Sequence, residues 1–182
     1  MPLIRKFSSP DIDAVTAIYA HAVLYGAGTY EIEPPSRDEM KIRFERIVKQ
    51  GFPILIAEEN GIVLGYAYAS HFRNRAAYNW LAEDSIYVSP DAKGKGVGKS
   101  LLKELVLRTE ALGFRQMLAV IGDGDGNIGS VKLHESLGFT HCGSIRASGY
   151  KHGRWLNTIL MQLPLNGGDA DAPQASPLLS PL

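Results

Sequence analysis

The segment "DAKGKGVGKSLL", residues 91–102, places the strongest constraint on the fold, because it joins a strand to a helix. The run before it, "EDSIYVSP", is typical of a short strand that ends at Pro90. From about Gly98 to Leu112 the apolar residues recur at helical spacing, and Gly113 closes the helix. Glycines at such a junction let backbone N–H groups turn towards an anion at the helix N-terminus. The segment therefore predicts an anion-binding turn.

Two nucleotide-binding motifs fail in this segment by one position. The Walker A loop requires a glycine at position 93, which is lysine, and counting from Gly94 leaves the loop one residue short. The dinucleotide motif G-x-G-x-x-G requires a third glycine at position 99, which is also lysine. From the loop alone, a flexible basic turn without a ligand remains the other interpretation.

The rest of the chain predicts one mixed α/β layer in the order β-α-α-β-β-β-α-β-α-β-β. Ser9 is expected to cap the first helix, and the capping box Ser36–Glu39 begins the second. Asn60-Gly61 joins two apolar runs into a hairpin, since this pair tolerates positive φ at both turn positions.

Composition limits the class of protein and its partners. Of the 182 residues, 45% are hydrophobic and 21% charged, and the net charge is zero, so no overall field favours nucleic acid or a membrane surface. The single cysteine, Cys142, favours a reducing cytoplasm. We expect a domain over residues 1–164 and a disordered tail over residues 165–182, which is rich in Pro, Gly, Ala and Asp.

The stretch Lys93-Gly94-Lys95-Gly96-Val97-Gly98 is similar to the acetyl-CoA loop R/Q-x-x-G-x-G/A of the GNAT superfamily, with lysine in place of arginine or glutamine. Over about residues 2–163 the chain resembles the phosphinothricin and methionine-sulfoximine N-acetyltransferase family. The motifs that carry this resemblance are "RAAYNWLAEDSIYVSP", "AVIG...N..SVKLHESLGF" and "GYKHGRW". The resemblance implies an α/β GNAT fold, with a mixed, mostly antiparallel sheet flanked by helices.

Acetyl-CoA is the co-substrate that the resemblance implies, and no metal is expected. The histidines lack metal-ligand spacing, and the calcium-like loop "DGDGNIGSVKLH" has Ile128 and His134 where glycine and glutamate are required. The expected cofactor-binding residues are Ile86, Tyr87, Val88, Lys93, Gly94, Lys95, Gly96, Val97, Gly98, Lys99 and Asn127.

The resemblance implies that Glu83 is the catalytic base and gives His134 an active-site role, assisting the leaving thiolate or orienting the amine. Because side chains alternate along a strand, only one of Glu83 and Asp84 is expected to face the pocket. Arginines beside an aromatic side chain suit a substrate carboxylate. The expected substrate-binding residues are Tyr30, Arg73, Arg75, Ala76, Ala77 and Tyr78.

These features predict an enzyme that moves an acetyl group from acetyl-CoA to the α-amino group of a small amino-acid-like compound. The alternatives are acetylation of another amine (an antibiotic, a polyamine or a protein N-terminus) and a non-catalytic acyl-CoA sensor. The resemblance also implies a homodimer. Neither nucleic acid nor a membrane is an expected partner.

Overall fold

The computed structural model describes residues 2–177, which form one seven-stranded sheet and four α-helices. The strands are β1 (Leu3–Lys6), β2 (Ile54–Glu59), β3 (Ile62–His71), β4 (Leu81–Val88), β5 (Gln116–Gly122), β6 (Thr140–Lys151) and β7 (Arg154–Pro164). The helices are α1 (Ile12–Tyr25), α2 (Arg37–Lys49), α3 (Val97–Ala111) and α4 (Ile128–Glu135). The strand order is β1-β2-β3-β4-β5-β7-β6, and only the β4–β5 pair is parallel.

Local sequence signals fix most element boundaries. The Ser36 hydroxyl accepts a hydrogen bond from the Glu39 backbone N–H at 3.2 Å, so it caps α2 as predicted. The predicted cap of the first helix is wrong: α1 begins at Ile12, and its N-cap residue is Asp11, not Ser9. Ser9 belongs to a short 3₁₀ turn, Ser9–Asp11, which Ser8 caps, and the Ser8 backbone N–H donates to Asp11 Oδ2 at 2.7 Å. Pro10 suits this turn because its fixed φ fits the first turn of a helix.

The core lies between the sheet and the helices. Leu101 and Leu105 of α3 are fully buried, and each contributes about 1.5–3 kcal/mol through removal of apolar area from water. Tyr66 on β3 stacks on Tyr87 of β4 at 5.2 Å between ring centroids, and Tyr19 of α1 meets Tyr87 edge-on at 4.9 Å. These aromatic contacts hold α1 against the middle of the sheet.

The β4 and β5 strands separate halfway along their length. Pairing runs from Leu81 opposite Gln116 to Asp84 opposite Ala119, and β4 then continues to Val88 without β5. Because both strands keep their outer neighbours, the sheet stays continuous but opens in its middle. This divergence creates the main cleft of the protein.

Beyond β7 the chain keeps contact with the domain. Leu165 is 2% exposed, and its backbone N–H donates to the Arg115 carbonyl at 2.9 Å. The Arg115 guanidinium donates in turn to the Gly168 carbonyl at 2.7 Å. Further on, the Trp80 indole N–H donates to the Ala175 carbonyl at 3.1 Å.

These contacts fall within the segment from residue 165 that is expected to be a disordered tail. Composition alone missed them because the segment buries little apolar surface and instead satisfies its backbone carbonyls with side-chain donors. The part of the expectation that falls on residues 178–182 lies outside the described residues. Between residues 2 and 177, no helix is long and apolar enough to span a membrane.

Candidate active site

The cleft between the diverging ends of β4 and β5 has a volume of about 890 Å³, within the range of small-molecule and cofactor sites. One wall runs along β4 from Glu83 to Val88, and the other along β5 from Ala119 onwards. The turn before α3 and the inner side of α4 complete it. It therefore collects most of the residues that the sequence singled out.

The glycine turn at the start of α3 is open to a ligand. Gly94 and Gly96 have φ of +75° and +79°, which disfavours other residues, and a Cβ built on either would meet nothing within 4 Å. Helix α3 begins at Val97, so its free N–H groups and positive end point out of the same turn. This arrangement fits the pyrophosphate of coenzyme A.

Three lysines of this segment, Lys93, Lys95 and Lys99, are exposed, and none has an acidic partner within 4 Å among residues 2–177. Their positive charge is thus available to an anionic ligand. At Gly98, glycine is required by packing between two helices and not by an open ligand site. A Cβ there would lie 3.2 Å from Leu133 Cδ2, so its absence lets α3 approach α4.

The free edge of β4 supplies the second feature that suits coenzyme A. Ile86, Tyr87 and Val88 line the cleft, and this part of the strand has no partner on the β5 side. An extended pantetheine arm can therefore hydrogen-bond to the backbone as an added strand does. Asn127 also lines the cleft, at the N-terminus of α4, where its side-chain N–H donates to the Gly122 carbonyl at 3.3 Å.

Glu83 lies on β4 at the point where the cleft opens. Burial raises the pKa of its carboxyl group to about 7, and the nearby charge of Asp84 adds to the effect. At neutral pH such a group is divided between its two protonation states, as a general base in proton transfer requires.

Along β4, Asp84 is buried and Glu83 is half-buried, which follows the alternation expected of adjacent strand residues. Asp84 lines the same cleft as Glu83, and its Oδ2 lies 3.1 Å from Nε2 of His134 on α4. His134, expected in the site from the resemblance, lines the cleft as well.

The predicted substrate-binding residues are not brought into this cleft. Arg73 and Arg75 line a separate hollow of about 570 Å³, together with His71. The Tyr30 hydroxyl is hydrogen-bonded to the Thr158 hydroxyl at 2.8 Å, beneath β6 and β7. None of the following lines the main cleft: Tyr30, Arg73, Arg75, Ala76, Ala77 and Tyr78.

Sequence reasoning missed one wall of the cleft, formed by the end of α1 and the loop after it. His21 and Tyr25 of α1 line this wall, and Gly26 to Thr29 continue it. The sequence carries a signal for this wall in the glycine pair of "YGAGTY", residues 25–30. A Cβ on Gly122 would lie 2.5 Å from the Gly28 carbonyl oxygen, so glycine at the end of β5 lets this loop close over the strand.

The calcium-like loop is held by protein partners. Asp123 forms an ion pair with Arg154, with one N–O distance of 2.9 Å, and Asp125 accepts from Asn157 at 2.5 Å. Within the described part of the chain, no group of three or more potential metal-ligating side chains occurs.

Comparison with known proteins agrees with this geometry. The Acetyltransferase (GNAT) family profile matches residues 17–139. The chain is 46% identical to a phosphinothricin N-acetyltransferase of Alcaligenes faecalis, over 94% of this chain and 86% of that protein. It is 37% identical to an L-methionine sulfoximine/L-methionine sulfone acetyltransferase of Salmonella typhimurium, over 90% and 94% of the two chains.

A solved structure shows the same architecture. The GNAT superfamily phosphinothricin acetyltransferase of Sinorhizobium meliloti, in complex with acetyl-CoA, superposes with a TM-score of 0.91 at 52% identity, over 95% of this chain and 93% of that one. The match confirms the predicted fold and the family resemblance. The chain belongs to the GNAT family of acetyltransferases.

Proposed function

We propose that this acetyltransferase moves the acetyl group of acetyl-CoA to the α-amino group of a small amino-acid-like compound of the phosphinothricin or methionine sulfoximine type. The observation that carries the proposal is the position of Glu83, at the apex of a cleft that also contains the glycine turn and the free strand edge. The activities named for the relatives support the substrate class.

The chemistry requires a base because an aliphatic amine, with a pKa near ~10, arrives protonated at neutral pH. Glu83, directly or through one water, accepts that proton, and the neutral amine attacks the thioester carbonyl. A backbone N–H near Val88 stabilises the developing oxyanion, and the thiolate of coenzyme A leaves and takes up the proton that the attacking nitrogen loses as the amide forms. The glycine turn and the edge of β4 hold the co-substrate in position throughout.

A thiol-release assay with a panel of amines tests this function. Phosphinothricin, methionine sulfoximine and methionine sulfone are expected to be turned over with the highest kcat/KM. Spermidine, a peptide N-terminus and an aminoglycoside represent the alternative acetyltransferase functions. Turnover of these compounds alone, with no turnover of the amino acids, contradicts the proposed substrate class.

We further propose that the arginines of the 72–75 loop attract the substrate carboxylate, as their residue type suggests, although they lie outside the main cleft. Arg73 and Arg75 are tested in the same assay. Arg75→Ala is expected to raise KM for the amino acid and to leave the affinity for acetyl-CoA unchanged. Equal effects on both ligands would contradict this role.

A homodimer is proposed as the working form, in the cytoplasm. Strand β6 lies at the edge of the sheet and is exposed along nearly all its length, and Tyr150 and Trp155 are 58% and 66% exposed. Long exposed edge strands with aromatic side chains are ordinarily covered. Light scattering after size exclusion is expected to give twice the monomer mass of 19.8 kDa.

A further inference from the structure

Asp84 and His134 form a buried pair at the apex of the cleft. His134 Nε2 lies 3.1 Å from Asp84 Oδ2, and both side chains are 3% exposed. The other ring nitrogen, Nδ1, lies 2.7 Å from the Ser130 carbonyl oxygen one turn earlier in α4. Both nitrogens of the imidazole therefore have partners.

The two hydrogen-bond partners of the His134 ring determine how many protons the Asp84–His134 pair carries. A carbonyl oxygen only accepts, so His134 Nδ1 carries a proton and donates it to Ser130. In a neutral ring, Nε2 is then an acceptor, but it faces a carboxylate, which is also an acceptor when ionised. The contact needs one more proton, and Asp84 and His134 must share it.

The surroundings favour the charged form of this pair. Burial lowers the pKa of His134, but the hydrogen bond and charge of Asp84, together with the Ser130 carbonyl, raise it above its ordinary value overall. The second oxygen of Asp84 is buried and has no hydrogen-bond partner among residues 2–177. A buried carboxylate with so few donors needs a neighbouring cation.

Such a pair changes the expected role of His134. With both N–H groups donated, the ring cannot give a proton to the leaving thiolate or take one from the amine without breaking a hydrogen bond. We propose, on the basis of the function proposed above, that Asp84 and His134 are positioning residues. As an ion pair they tie α4 to β4 at the apex of the cleft and control the protonation of Glu83.

Few other titratable groups face this cluster. Strand β3 places Ser70 opposite Glu83 and Ala69 opposite Asp84, and β5 places Leu118 and Ala119 there. The Tyr68 phenol on β3 lies close enough to Glu83 for the carboxylate charge to raise the pKa of Tyr68, after the larger effect of burial. From α4, the His134 ring is hydrogen-bonded to Asp84.

The first test needs no activity. In ¹⁵N-histidine-labelled protein, with signals assigned through the His134→Gln variant, both ring nitrogens of His134 are expected to remain protonated at pH 7.5. An unperturbed imidazole, with a pKa near ~6.5, is mostly neutral at that pH. In Asp84→Asn the amide donates to Nε2, so His134 is expected to become neutral with its proton on Nδ1. A neutral His134 in the unsubstituted protein at pH 7.5 would overturn the proposal.

The second test is the pH dependence of kcat/KM. Asp84→Asn removes the carboxylate charge that raises the pKa of Glu83 in addition to the larger effect of burial. The acidic limb of the profile is therefore expected to shift to lower pH, by less than an isolated carboxylate would cause, because His134 loses its positive charge in the same variant. The control is Asp38→Asn on α2, a carboxylate whose side chain is 89% exposed, which is expected to leave the limb in place. If the acidic limb of the kcat/KM profile lies at the same pH in Asp84→Asn as in the parent, Asp84 does not control the protonation of Glu83.

The two tests separate failure of this proposal from failure of the proposed function. If no amino acid is acetylated, the substrate assignment is wrong, but the nitrogen signals of His134 still decide whether the pair is charged. If Asp84→Asn does not fold, the measurement on the unsubstituted protein decides the same point.

Discussion

The backbone of Gly28 lies against Gly122 so closely that a Cβ on Gly122 would stand 2.5 Å from the Gly28 carbonyl oxygen. This contact joins the loop after α1 to the end of β5, and both glycines line the cleft. A Cβ on Gly28 would likewise lie only 3.1 Å from Asn127 Nδ2. The width of the cleft therefore depends on the absence of a side chain at position 122.

Gly122→Ala is therefore expected to displace the loop after α1 and to weaken binding of both ligands by about tenfold or more. The backbone atom in the way cannot move like the end of a flexible side chain. Isothermal titration with acetyl-CoA measures the effect. The control is Gly143→Ala, where the added Cβ would lie 3.8 Å from Leu160, an ordinary contact. Equal affinities in the two variants would contradict the closure of the cleft by this loop.

Gly96→Val is expected to weaken acetyl-CoA binding strongly, because a side chain at this position of the turn keeps the ligand from the backbone. Its matched control is Gly61→Val in the β2–β3 hairpin. Gly61 has φ of +78°, against +79° for Gly96, and a Cβ at either meets nothing within 4 Å. Both variants thus carry similar backbone strain, and only Gly96→Val is expected to lose affinity in calorimetry. Similar losses in both would argue against the turn as the pyrophosphate site.

Glu83→Gln is expected to lower kcat by roughly 10²–10⁴ with little change in acetyl-CoA affinity, because it keeps the shape of the side chain and removes the base. The residual rate should increase with pH as more of the amine becomes neutral in solution. Glu45→Gln on α2, at a side chain that is 65% exposed, serves as the control. If Glu83→Gln keeps the full kcat, Glu83 is not the general base.

The same substitution is expected to stabilise the protein. The pKa of Glu83 rises from 4.5 to about 7 on folding, so the folded state binds this proton more tightly than the unfolded chain. The free energy of unfolding therefore falls as pH rises between these values. Above pH 7, Glu83→Gln should exceed the parent by about 1–3 kcal/mol, and below pH 4 the difference should vanish. Urea titrations at both pH values measure this difference in the free energy of unfolding. A larger difference at the lower pH would contradict a raised pKa of Glu83 in the folded state.

Truncation after Gly167 is expected to destabilise the fold by about 1–3 kcal/mol, because it removes the Gly168 carbonyl that accepts from Arg115 and the Asp171 carboxylate that pairs with it. Truncation after Asp171 keeps both contacts and loses the hydrogen bond from Trp80. Melting temperatures of the two proteins should differ by several degrees. Identical values would show that the Arg115 contacts add nothing.

Sequence reasoning predicted the parts of the site that depend on neighbouring residues. The glycine turn was recognisable because strand, glycines and helix follow one another without interruption, whereas the choice of Glu83 rested on the family resemblance. The Asp84–His134 pair was not predicted, because 50 residues separate its two members along the chain. The location of Arg73 and Arg75 was also missed, because a loop carries no periodic signal for its direction.

The divergence of β4 from β5 has a consequence for how the protein tolerates change. Along the free half of β4, the unpaired main chain lines the cleft, and Tyr87 packs its ring against Tyr66 in the interior. Every residue type except proline carries the same main-chain groups, so recognition there does not depend on which side chains are present. A substitution in this stretch is therefore expected to appear first as lost stability and only later as lost binding, which lets the interior be repacked in evolution while the ligand stays the same.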